Sequence, residues 1–179
     1  MTDTATTNAS NSPYQESPAS IARGWINRAV HDIVTATDGE TGFTARPAYD
    51  GDPWPNQEPN ALPALRATIM VRNVAETTWR TAIATARGAG TSWQDIAGIL
   101  GINADDHGSP AETAFELTAE PPNRFGEIPP VYWRCHTCDA WVSDSGPYES
   151  HPADNVTGHA EGCTRYAAEL AAWHARNPN

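Results

Sequence analysis

Cys135 and Cys138 are separated by two residues, His159 and Cys163 by three, and 20 residues lie between the two pairs. Thiolates and a neutral imidazole are metal donors, and two thiolates in one tight turn, Cys135-His136-Thr137-Cys138, can grip a single ion while backbone N–H groups stabilise their charge. His159 and Cys163, four positions apart, are predicted to share one face of a helix running from about Gly158 to Arg176. Three sulfurs and one ring nitrogen make a tetrahedral set suited to Zn2+. Four protein ligands leave no open coordination position, so the ion is predicted to be structural. His136 and His151 are read as surface histidines rather than substitute ligands, and His174 as a favourable partner for a helix C-terminus.

These donors need a scaffold. Pro129 to Asp144 reads as a hairpin, with Val131-Tyr132-Trp133-Arg134 and Asp139-Ala140-Trp141-Val142 as β-prone arms around the thiolate turn. The helix after it carries Tyr166, Leu170 and Trp173 on its predicted buried side. The arrangement over residues 131–176 resembles treble-clef and other zinc-finger-like modules, on the strength of Cys135, Cys138, His159 and Cys163. It departs from them in the long insert and in Asp139, where a glycine is common. Two other chemistries fit less well. A thioredoxin-like redox pair needs a strand before Cys135, a helix after Cys138 and no fourth ligand. His159-Ala160-Glu161 is similar to the His-x-Glu of zinc deaminases. Here, however, the order is reversed, the proline before the cysteine pair is missing, and Cys163 closes the position that catalysis needs.

The rest of the chain is expected to be helical. Residues 1–18 are read as a disordered tail, 19–120 as a helical domain, 121–130 as a Pro-rich linker and 131–179 as the zinc-binding module. Ser17-Pro18 looks like a helix start, with Ile21, Trp25, Ile26, Val30, Ile33 and Val34 at helical spacing up to Thr37. Asp38 to Asn60 reads as a polar surface loop with Trp54 as an anchor. A long helix is predicted from Ala61 to Arg87, with Leu65, Ile69, Met70, Val74, Trp79 and Ile83 as buried candidates. Arg66, Arg80 and Arg87 sit at multiples of seven residues along one face, either as a solvated stripe or as contacts to phosphate.

Ser92-Trp-Gln-Asp-Ile-Ala-Gly-Ile-Leu-Gly-Ile102 resembles the first helix and turn of bacterial helix-turn-helix proteins. Thr91 or Ser92 would cap the helix; Trp93, Ile96 and Leu100 would form its apolar face. Ala97 would give room to the next helix, Gly101 would supply positive φ, and Ile102 would plug the corner. The resemblance implies a trihelical fold and DNA contact. The following helix departs from it: Ser109-Pro110-Ala111-Glu112 opens it late, and Glu112, Glu116 and Glu120 face phosphate with the wrong sign. Phe115 and Leu117 are expected in the core.

The fold class expected is therefore mostly α: a trihelical, helix-turn-helix-like part plus a small zinc-bound β-hairpin and helix, the two parts packing together because neither core is generous alone. All 11 basic residues are arginine, which with the abundant alanine suggests a GC-rich bacterial source. The net charge of −11 excludes general electrostatic capture of nucleic acid or anionic membrane. No signal peptide or spanning segment is recognised, three cysteines favour a metal over disulfides, and a cytoplasmic location is expected. No nucleophile–base pair, phosphate loop or carboxylate dyad can be picked out, and no small-molecule substrate is implied. The leading expectation is a non-enzymatic accessory or regulatory protein acting on DNA or a DNA-bound partner. The alternative is a protein-interaction adaptor using the acidic helix 110–120.

Overall fold

The computed structural model of the chain describes residues 16–103, 109–148 and 151–178. Most of the predicted N-terminal tail, and the 104–108 stretch of the connection after Gly101, lie outside them. The described residues are mostly α, with six helices and two small antiparallel sheets. They divide into two compact units, 1–75 and 76–179, and the break falls inside the second helix.

In the first unit α1 covers Pro18–Asp38, capped as the sequence predicts: Ser17 accepts a hydrogen bond from the Ser20 N–H, and Pro18 holds the first helical position. The expected surface loop holds more order than predicted. A 3-10 turn at Gly39–Gly42 leads into β1 (Phe43–Arg46), which pairs antiparallel with β2 (Asn56–Pro59). No alternation marks these strands, because neither is buried on a face; backbone pairing and Asn60, which donates to Thr41 and Gly42 carbonyls, hold them. Trp54 at the hairpin tip is 86% exposed and anchors nothing. α2 (Ala61–Ala89) starts in this unit. Of its predicted buried residues, Leu65, Ile69, Met70 and Val74 are exposed, and so are Ile21, Trp25 and Ile26 of α1.

The second unit contains the end of α2, α3 (Trp93–Leu100), α4 (Pro110–Thr118), and a sheet ordered β3–β4–β5 from Val131–Arg134, Trp141–Asp144 and Val156–Thr157. A short α5 (Pro152–Asn155) precedes β5, and α6 (Thr164–Arg176) closes the chain. Ser92 and Asp95 form a reciprocal capping box on α3, and Gly101 ends it with φ of 72°, the left-handed conformation expected of that glycine. α3 and α4 pack on one another around Ile83, Trp93, Ile96, Ala97, Ala114 and Phe115. Leu117, expected in this core, is instead 57% exposed, because Ala114, Phe115 and Thr118 take the inward face of α4. A second cluster joins Trp133, Cys135, Val142, Val156 and Cys163. Val131 touches both clusters, and Ile128 packs on the first, so helices and sheet share one interior.

Candidate metal centre

β3 and β4 pair from Val131↔Asp144 to Arg134↔Trp141, and the turn between them presents Cys135 and Cys138. The Cys135 N–H donates to the Ala140 carbonyl at 2.9 Å and the Asp139 N–H to the Cys135 carbonyl at 2.8 Å, which folds the chain into a knuckle. Asp139 turns it with φ of 59°. A position in this region favours glycine, and aspartate is one of the few other residues that visit it; its carboxylate holds Arg134 at 2.6 Å.

The second pair reaches the knuckle by a route the sequence hides. The insert contains α5 and β5; β5 adds to β4 through Ser143↔Thr157 and Asp144↔Val156 and delivers the chain beside the knuckle. His159 follows in a loop. Cys163 is the N-cap of α6, which begins only at Thr164. The predicted shared helical face is thus corrected: one ligand lies before the helix and one at its cap. Four-residue spacing is equally compatible with a turn that wraps around an ion, and the Cys163 N–H bonds the Ala160 carbonyl at 3.1 Å to make that turn.

The ligand atoms of Cys135, Cys138, His159 and Cys163 all lie within 4.8 Å of one another. Cys135 Sγ and Cys163 Sγ are 4.0 Å apart, and Cys138 Sγ and His159 Nδ1 are 3.6 Å apart. Metal–sulfur and metal–nitrogen bonds of ~2.3 and ~2.05 Å at tetrahedral angles give edges of ~3.8 and ~3.6 Å. Four donors, two of them buried cysteines, therefore converge on a space that one ion fits. Among the described residues this is the only such group of His, Cys, Asp or Glu side chains.

The surroundings favour the thiolate form of one sulfur and hold the ring in place. The Ala160 backbone N–H, then the His159 ring and the Ala140 backbone, hold the Cys138 thiol down to about 6. Burial, followed by the neighbouring Cys138 and Cys135, pushes the Cys163 thiol up; a cation between the sulfurs would remove that conflict. The His159 ring stacks on Tyr166 at 5.0 Å and meets the edge of Trp133 at 5.6 Å, which aims Nδ1 at the sulfurs. Glu161 is exposed and belongs to no ligand group.

Asp144, given no role by the sequence, and three residues given other roles, Arg87, Trp93 and Trp133, support this site from behind. Asp144 is fully buried, and its Oδ2 accepts from Arg87 Nε at 2.9 Å, from Arg87 Nη2 at 2.6 Å, and from the indole N–H groups of Trp93 and Trp133 at 3.1 Å each. The Arg87 guanidinium sits over both indoles, 5.1 and 5.4 Å from their centroids. At the end of α2 the Gly88 carbonyl accepts from the His136 N–H at 3.1 Å and from Arg165 at 2.7 Å. A Cβ on Gly88 would lie 2.3 Å from the Arg134 carbonyl oxygen, so only glycine allows α2 this close to the knuckle.

The arginine stripe is resolved into three paired side chains. Arg87 is 7% exposed, and its charge is spent on Asp144. Two indoles and the Asp144 carboxylate enclose its guanidinium, which leaves little of it facing solvent. Arg80 lies 2.9 Å from Glu76 and 3.8 Å from Glu120, and Arg66 lies 2.6 Å from Asp38. His136 and His174 are exposed, and His151 is the N-cap of α5, its ring accepting from the Ala153 N–H. No helix among the described residues is long and apolar enough to cross a membrane.

No protein-family model matches the chain, and no curated protein or solved structure matches it significantly.

Proposed function

We propose that Cys135, Cys138, His159 and Cys163 hold one structural Zn2+ and that the protein is a non-enzymatic binding module working through a protein partner. The observation that carries this reading is the convergence of four protein donors, three sulfurs and one nitrogen, on one partly buried point. Sulfur-rich tetrahedral sets select zinc, and a closed set staples a fold rather than activating water.

The α3–turn–α4 pair supports a helix-turn-helix scaffold through its capping box, the left-handed Gly101 and the packing of Ile102 on the core. Direct DNA reading has little to draw on. Residues 76–179 carry 14 carboxylates against six arginines, a formal −8. Glu112, Glu116 and Glu120 lie on or just beyond α4, and Glu116 and then Glu112, after burial, raise the Tyr148 hydroxyl's pKa. A regulatory role, if exercised at DNA, then runs through a DNA-bound protein, and the acidic α4 face is suited to a partner with a basic surface.

The two routes separate experimentally. Anisotropy titration of duplex DNA at low salt is expected to give no binding, while affinity capture is expected to yield a partner lost on Glu112→Arg with Glu116→Arg. Salt-dependent DNA binding that is abolished by Arg80→Glu would replace this reading with direct DNA contact.

A further inference from the structure

The first unit holds many apolar side chains and little core. Val34 and Ala67 are the only buried hydrophobic side chains among residues 16–75, whereas Trp25 is 73% exposed, Ile26 48%, Met70 50% and Val74 67%. Between α1 and α2 an open groove of about 340 Å³ is lined by Ala29, Ile33, Met70, Val71, Val74 and Ala75, with no polar side chain among them. Trp25 and Ile26 stand four and three residues before Ala29, so they prolong the same stripe along α1.

We propose that this stripe is the interface of a homodimer, in which a second copy lays its own α1–α2 face across the groove about a two-fold axis. Two observations favour a second copy. The first is area. From the fractional exposures the stripe offers on the order of 500 Å² of apolar surface per copy, close to the apolar share of the ~800 Å² each partner buries in a standard interface. The second is charge. α1 and the 61–75 stretch of α2 carry Arg23, Arg28, Arg66 and Arg72 against Asp32 and Asp38, whereas most of the acid excess lies in residues 76–179. The helical face that would be buried between copies thus carries no acidic excess of its own, and the repulsion expected of the chain's net charge of −11 is not concentrated there.

Leu65 supplies a control. It is 55% exposed but projects about half a turn away from Met70 and Val74 around α2. The test is sedimentation equilibrium of the full-length, metal-loaded chain over a wide concentration range, with helicity followed by circular dichroism. The wild type is expected at twice the 19.3 kDa chain mass. Trp25→Glu and Met70→Glu, tested separately, should each weaken the dimer at least about thirtyfold, as loss of a central interface anchor does. Leu65→Glu should leave it intact. A wild type that stays at the single-chain mass overturns the proposal, whatever the variants do. So does a dimer that survives both groove substitutions, or one that dissociates equally with Leu65→Glu.

Discussion

Asp144 carries more of the second unit than any residue recognisable from sequence. One carboxylate oxygen accepts four donors from α2, α3 and β3, and the other accepts the Gly146 N–H at 3.1 Å. Asp144→Asn keeps the shape but removes the counter-charge of a buried guanidinium, and it is expected to lower unfolding free energy by about 3–5 kcal/mol in chemical denaturation. Gly88→Ala forces a methyl against the Arg134 carbonyl and should cost roughly 2–3 kcal/mol in the same assay. The four clustered donors were legible because their chemistry is read from residue type and spacing alone. Arg87 was not: arginines spaced in multiples of seven along a helix look solvated, and its buried partner lies 57 positions away, in a strand with no local mark of that pairing.

At the scale of elements, helix ends were legible wherever a side chain caps them. Ser17-Pro18, Ser92 with Asp95, and Ser109-Pro110 all start helices where their chemistry predicts. The start of α6 was misread, because Cys163 caps it without a side-chain hydrogen bond and the His159–Cys163 interval mimics a helical turn. The β1–β2 hairpin and β5 were missed for a related reason. None of these strands carries a buried alternating face long enough to leave a period in the sequence. Apolar spacing likewise identified α1 and α2 as helices but not what covers them, since periodicity reports a face and not its neighbour. The turn after α3 gives a test at this scale. Gly101→Ala places a Cβ at positive φ and should destabilise by about 1 kcal/mol, with no effect on metal content.

For the whole second unit, the four-donor cluster and the helical core are one interior. Val131 bridges the two clusters, Gly88 links α2 to the knuckle, and Arg165 of α6 packs 4.5 Å from the Trp133 ring while donating to Gly88. Metal removal should therefore do more than loosen a finger. Chelation is expected to release protection from hydrogen exchange first across residues 131–176, and then to lower the melting temperature of the 76–118 helices, because metal-binding free energy here is folding free energy. Protection of those helices that is indifferent to chelation would mean that the two clusters are energetically separate.

The most direct measurement is native mass spectrometry of the purified chain, with elemental analysis, repeated on Cys163→Ser. One zinc per chain is predicted. Losing the Cys163 thiolate should weaken the site by more than the ~10–100-fold typical of an outer-shell partner and should melt residues 131–176. A chain that carries no metal would contradict the account at its centre. Full zinc retention without Cys163 would contradict the closed site and reopen a three-ligand centre with a free coordination position.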